Sequence, residues 1–468
     1  MATPAIYVLY SKIVLDALSV SKIKLNKCRR DFMIEIFMLY LSIPSRINFL
    51  QLGRYSLFGE QRFRRQSEQR FDFFGFNKAL SMPWIGSRSA VAFDPSFIPK
   101  SGKQTPGIGY FWSGCAGRAL RGIEILGLSV IDADTRLSFH LDAVQTPPTN
   151  CLQDNDLSLI DWYAGVIKKY MKQILSITKY VVADAYFSKK NFVEKILQCS
   201  LHLISKLRDD ADLTYLLLQP RTGGKGRPAK YGGKVDVRNL NPEHFNHVEN
   251  DKGIIAYSGI VYSKALGRNI LLVVEEFLIK GKTTYHLLFS TDTMQAPIDV
   301  IDIYHTRFQI EFGFRDAKQF AGLENSQARS GNKLNFHFNT ALTTVNIAKI
   351  MQLSDPETRE NSFSMATYKI LFHNTLLLSR FFRLFAINPN SIKNHQHVKE
   401  LLYFGTMAAY IYLLFERTID LNQICLTARE VFLQLHFVQE TGKNFLHLFY
   451  LFIIQTIVGF HSLNMSSN

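Results

Sequence analysis

Cysteine is scarce in this chain: five in 468 residues, at Cys28, Cys115, Cys151, Cys199 and Cys425. An odd number at wide spacing excludes a disulfide scaffold, and no pair stands at zinc-knuckle spacing. A reducing, cytoplasmic compartment is expected. The opening MATPAIYVLYSKIVLDAL lacks a basic region before a clean apolar run, so no signal peptide is expected. The most apolar stretch, Phe445 to Phe460, is short for a membrane span and holds His447 and Gln455, so it reads as a buried or interfacial helix. There is no fixed-period repeat and no long low-complexity tract, which excludes a solenoid. Negative charge is also in short supply. Asp and Glu number 39 against 54 Lys and Arg, for a net charge of +15. That balance points to a polyanionic partner, nucleic acid or an anionic membrane surface. Ser101-Gly102-Lys103-Gln104 lacks the flanking residues of a phosphate loop, and no Ser or Cys nucleophile has a visible partner arrangement.

The length suggests two to four domains. Residues 1–85 read as helical and basic, with Val20 to Leu41 as a pair of short helices. Arg62 and Arg65 lie there among interleaved aromatics, a pattern that fits a DNA-binding face. From Ser89 the pattern turns to strands: SAVAFD ending at Asp94, a Gly-rich loop from Ser101 to Gly114, then Ile123 to Ile131 and Leu137 to Val144 around a hairpin turn at DADT. Leu157 to Ile177 has helical spacing. YVVAD is a strand ending at Asp184, and His202 to Leu207 is another. A basic, Gly-rich loop follows, RTGGKGRPAKYGGKVDVR, which contains Arg227. Strands are expected at Ile254 to Tyr262, Asn269 to Phe277 and Thr284 to Ser290, and helices at Leu342 to Leu353 and Thr367 to Phe385. This order predicts an α/β (α+β) layered domain.

One run concentrates the chemistry: IDIYHTRFQIEFGFRDAKQF, Ile301 to Phe320, which reads as one helix. With ~100° per residue and Tyr304 at zero, Arg307 falls at roughly −60°, Glu311 at roughly −20° and Lys318 at roughly −40°. Phe308 and Phe312 lie to one side and are expected to pack that face on a core. A carboxylate among cations suits a metal ion and a phosphate at one site. Asp94 and Asp184, each at the end of an apolar strand, supply two further acids where a sheet presents side chains to a crevice. Three such acids can hold two divalent cations roughly 3.5–4 Å apart. Magnesium suits that role, with manganese as a substitute.

The spacing Tyr304-x2-Arg307-x3-Glu311-x6-Lys318 resembles the signature around the third acid of the insertion-sequence-4 type of DDE transposases. Asp184 in D-A-Y-F is similar to the family's second acid, and GRPAKYGGK looks like its basic loops. The resemblance covers Val91 to Gly331. It implies an RNase H-like catalytic core over 86–332, with a β-rich insertion at about 208–290. A helical region (333–400) and an apolar tail (401–468), a dimerisation segment or a non-native extension, would follow. It implies Asp94, Asp184 and Glu311 as catalytic metal ligands, and Tyr304, Arg307 and Lys318 as contacts to transposon-end DNA. Lys100, Lys103 and Arg227 are further expected DNA contacts. The activity implied is cut-and-paste transposition by a cytoplasmic, nucleoid-associated homodimer, with double-stranded DNA as partner and no stable membrane association. The alternative is an inactive or domesticated relative that only binds inverted-repeat DNA.

Other acids have plainer readings. Asp132 and Asp134 are expected in a hairpin turn, and Asp209, Asp210 and Asp212 in a solvated turn. Asp292, at a strand end, is the most credible substitute for one of the three acids. His140 is expected to be structural, and Trp112 to be core, with stacking on an extruded base as its other reading.

Overall fold

The structure is a computed structural model that describes residues 5–217, 231–250, 253–279, 281–388 and 392–406. Arg227 and the apolar tail from residue 407 on therefore lie outside the described residues. Residues 1–402 form one compact unit and 403–468 a second.

Five helices lead: α1 (Ala5–Val20), α2 (Lys27–Ser42), α3 (Phe49–Tyr55), α4 (Glu60–Gln66) and α5 (Phe73–Ser81). The expected pair of short helices is a single helix, α2, with α1 reaching that stretch only at Val20. The start of α2 is set by Asn26, whose side chain accepts from the Arg29 N–H, just as Asp72 caps α5 through the Gly75 N–H. Four strands follow: β1 (Ser89–Pro99), β2 (Gly109–Ser113), β3 (Arg118–Asp132) and β4 (Ser138–Thr146). β2 corrects the sequence reading, which had its residues in a loop. Its Gly-rich approach hides a short strand with alternating burial. Next come α6 (Thr149–Gln153), α7 (Leu159–Leu175), β5 (Tyr180–Val182), α8 (Lys190–Gln198) and β6 (His202–Lys206). A Ser158–Asp161 capping box fixes the start of α7.

The stretch expected to be a β-rich insertion contributes β7 (Leu213–Leu216), β8 (Tyr231–Lys234), β9 (Asn246–His247), β10 (Ile255–Ser263), β11 (Arg268–Ile279) and β12 (Lys282–Ser290). Tyr231 to Lys234 thus form a strand where a basic loop was expected. The chain closes with α9 (Pro297–Thr306), α10 (Gln309–Gln319), α11 (Gly331–Ser354), α12 (Met365–Leu384) and α13 (Ile392–Tyr403).

All strands join one mixed sheet in the order β2-β3-β1-β5-β6-β12-β11-β10-β7-β8, with β4 beside β3 and β9 beside β10. β1 runs antiparallel to β3 and parallel to β5, and β5 runs parallel to β6. A three-stranded antiparallel meander flanked by parallel strands is consistent with an RNase H-like core. The insertion does not build a sheet of its own. It continues this one, because β12 pairs antiparallel with β6.

Consecutive residues of β1 point to opposite faces. Phe93 packs on Phe187 and Phe192, on the side covered by α7 and α8. Asp94 points the other way, towards α10. There its register partner Gly127 leaves room for the Phe314 ring, and a Cβ at 127 would lie 2.5 Å from Phe314 Cζ. Close approach, rather than a special φ, is what glycine provides here.

Helix α11 is buried around most of its circumference. Its polar residues are satisfied internally. Asn339 accepts from the Ala143 N–H and bonds His140 Nε2, while Asn346 donates to Asn77 and to the His140 carbonyl. Burial pushes the His140 imidazole down to about 4, so it is a neutral structural residue, as expected.

Candidate active site

The run read as one helix is two. α9 ends at Thr306, α10 begins at Gln309, and Arg307 and Phe308 form the joint. Both joint residues keep right-handed helical dihedrals, but the bonds across it tighten: Ile310 N–H donates to Arg307 O and Glu311 N–H to Phe308 O. Phe308 is exposed rather than packed on a core, and Phe312 is half-buried, edge-on to it at 4.9 Å. The residues that seat α10 are Ile310, Phe314 and Ala317.

The expected polar face nevertheless assembles. Arg307 Nη2 lies 3.4 Å from Glu311 Oε1, and Arg307 Nη1 lies 3.9 Å from Asp94 Oδ1. The guanidinium is 5.9 Å from the Tyr304 ring centroid. Lys318 Nζ donates to the Phe97 carbonyl at 2.8 Å, which ties α10 to β1 three residues beyond Asp94. Asp184 sits at the end of β5, next to β1. Its carboxylate accepts the Tyr186 N–H at 3.1 Å, and Lys189, over the Tyr186 ring, adds positive charge nearby.

The Asp94 carboxyl feels the other acids. Burial pushes the Asp94 carboxyl up to about 7. Arg307 opposes that rise, while Asp184, Glu311 and Glu124 add to it. Asp184 is also raised by burial, against Arg307, the Tyr186 N–H and Lys189. Among the described residues no three His, Cys, Asp or Glu side chains close on one point as a ready-made metal cage. Arg307 occupies the middle of the acid group instead.

Residues 161–347 match the family model of the transposase DDE domain. The match spans Asp184 and Glu311, while Asp94 lies before it. It supports a DDE transposase with nuclease-type chemistry. No curated protein matches the chain.

Lys100 is half-buried and donates to the Glu324 and Ser326 carbonyls, and burial lowers its ammonium to about 8. Lys103 is exposed. Arg62 lies 3.6 Å over the Phe58 ring and 3.6 Å from Glu35, so it faces its own helical region, whereas Arg65 is exposed. Asp132 accepts from the Gly86 and Asp134 N–H groups and from Thr135 Oγ1, the turn role expected of it. Asp134 pairs with Arg88. Asp292 is bound by Lys179, Tyr180 and the Met294 N–H. These outweigh its burial and hold it down to about 2. It is a structural cap rather than a substitute acid.

Two features escaped the sequence reading. Glu124, the one acid in the apolar stretch of β3, is buried, accepts Tyr163 Oη–H at 2.6 Å and is felt by Asp94. It projects from the α7 face, opposite Asp94, and burial raises its own carboxyl. Its signal was a lone charge in an apolar strand. The second is a cleft of 680 Å³ between α3, α4 and the start of α11, whose charged lining is Arg64, Arg329 and Lys333 against Glu60. These cations are far apart in sequence and carried no local pattern.

Proposed function

We propose that the chain is a cut-and-paste DNA transposase of the insertion-sequence-4 type. In this reading it binds the terminal inverted repeats of its element, hydrolyses the phosphodiester at each end and joins the freed 3′-hydroxyl to target DNA. The observation that carries the reading is the convergence of Asp94, Asp184 and Glu311 on Arg307. The Nε and Nη1 donors of Arg307 are buried and have no hydrogen-bond acceptor among the described residues. A buried guanidinium with free donors fits a phosphate oxygen.

The donor set fits a hard divalent cation of the magnesium class. It offers carboxylate oxygens only, and the charges of Asp184 and Glu311 add to the rise of the Asp94 carboxyl. Asp94, Asp184 and Glu311 would hold it, and when bound it polarises the attacking oxygen and stabilises the leaving one. The chain's own groups do the rest. Arg307 neutralises the acids when no cation is present and donates to the scissile phosphate. Lys318 fixes α10 against β1, which sets Glu311 opposite Asp94. Tyr304 and Lys318 flank the bound end. Lys103 and Arg65, both exposed, reach backbone phosphates, and Arg64, Arg329 and Lys333 line a further basic cleft for them. Two ends must be cut together, which calls for a homodimer on DNA.

The test is strand cleavage of labelled duplex taken from the DNA flanking the gene, with magnesium, manganese or chelator. Wild type is expected to cut at the repeat boundary in a metal-dependent way. Asp184→Asn is expected to bind the duplex and lose cleavage by about 10²–10³-fold or more, the scale of a lost electrostatic stabiliser. Full activity in Asp184→Asn would refute the assignment. Binding without cutting by wild type would favour the inactive relative.

A further inference from the structure

The hairpin of β2 and the first half of β3 carries a face that the fold does not cover. Burial alternates along β2: Phe111 and Ser113 are buried, while Tyr110 and Trp112 are 70% and 64% exposed. Residues two apart share a face, so both rings stand on the same side of the strand. A half-buried strand ordinarily shows water its polar residues, whereas β2 shows it two aromatics. Tyr110 stands opposite Arg121 and Trp112 opposite Ala119, so a charged side chain flanks one ring and open space the other. Neither ring has a stacking or hydrogen-bonded partner among the described residues.

The charge of this hairpin is one-sided. From Lys100 to Gly122 the sequence has Lys100, Lys103, Arg118 and Arg121 and no acid. The hairpin continues the strand that pairs with β1: Asp94 stands opposite Gly127, the pairing ends at Pro99 and Gly122, and β3 meets β2 from there on, with the turn residue Cys115 felt by Lys318 of α10. Cations without acids call for a polyanion. Exposed rings beside them call for flat apolar faces on that polyanion. Unpaired nucleic acid has both, since every base has a free face to stack, whereas a duplex hides its base faces.

We infer that the β2–β3 hairpin is a stacking platform for an unpaired DNA strand. Tyr110 and Trp112 each take a base face, and Lys103, Arg118 and Arg121 take the backbone. The inference rests on the DNA reading above for its polymer, and not on catalysis. A competing occupant is a second copy of the chain, because β2 is an outer strand of the sheet.

The test uses the full chain in chelator, with fluorescein-labelled oligothymidylate and, separately, a blunt duplex of the same length. Trp112→Ala and Tyr110→Ala are each expected to weaken oligothymidylate binding about tenfold, the scale of one lost base stack, and to leave duplex binding nearly unchanged. Trp112→Phe is expected to keep most of the affinity, which a purely structural role would not require. Trp112→Ala binding oligothymidylate like wild type, with an unchanged circular dichroism spectrum, would overturn the inference, as would wild type failing to bind it. Loss of self-association in Trp112→Ala without loss of oligothymidylate binding would overturn it in favour of the second copy. Metal-dependent cleavage is measured on the same preparations. Cleavage without an effect on stacking sinks the platform alone, and stacking without cleavage by wild type sinks the transposase reading alone.

Discussion

Arg307, in the joint between α9 and α10, faces Glu311 in the first turn of α10 at 3.4 Å. The i,i+4 contact survives because the joint keeps helical dihedrals while its hydrogen bonds tighten. The same guanidinium reaches Asp94 on β1. One cation therefore joins the third acid to the first.

That bridge gives a stability prediction. Arg307→Ala leaves the Asp94 and Glu311 carboxylates, the first largely buried and the second half-exposed, without their shared cation. The metal-free variant is expected to lose about 1–3 kcal/mol, the scale of hydrogen-bonded charge contacts. Magnesium or manganese is expected to raise its melting temperature more than that of wild type, because the ion replaces the missing charge. Thermal melts with and without the metal check this. An equal metal effect in the two proteins would count against it.

Asp94 gives a pH dependence with a definite sign. Its carboxyl is raised to about 7 in the folded chain, chiefly by burial, from an unfolded value near 4. The folded state then binds more protons than the unfolded one between those values. Stability contributed at low pH is lost as pH rises through about 4 to about 7, and the curve is level above that. The loss is roughly 4 kcal/mol at most. Asp94→Asn should flatten the slope and be more stable than wild type at about pH 8 in chelator. Urea-unfolding midpoints at about pH 5 and about pH 8 read both proteins. A wild type equally stable at both values would contradict the cluster.

Gly127 controls the seat of α10. Gly127→Ala places a methyl 2.5 Å from the Phe314 ring, which must shift and carry Glu311 with it. A cost of about 1–3 kcal/mol is expected from overpacking, together with weaker cleavage. Phe314→Leu in the same chain should recover part of both, as a double-mutant cycle would show. Strict additivity of the two changes would mean that the contact does not matter.

The site was partly legible before any fold was known. Tyr304, Arg307, Glu311 and Lys318 recur at helical spacing, and spacing alone sets their common side. The tight joint at Arg307–Phe308 was not legible, because neither residue breaks a helix by itself. The exposure of Phe308 was missed with it. Glu124 needed the β1–β3 register and the position of α7 before its influence on Asp94 had any meaning. The β2 strand was masked by the glycines before it, and with it the exposure of Trp112, which composition alone assigned to a core.

The sequence by itself determined the local periodicities: which segments form helices or strands, which acids end apolar strands, and which polar side chains share one face. These follow from interactions within a few residues. Only the tertiary structure decided that the insertion extends the central sheet, that Arg307 stands among the acids, and that Lys100 binds loop carbonyls at Glu324 and Ser326. Those outcomes depend on which distant strands pair and which charges burial forces together, and neither is written into any short stretch of chain.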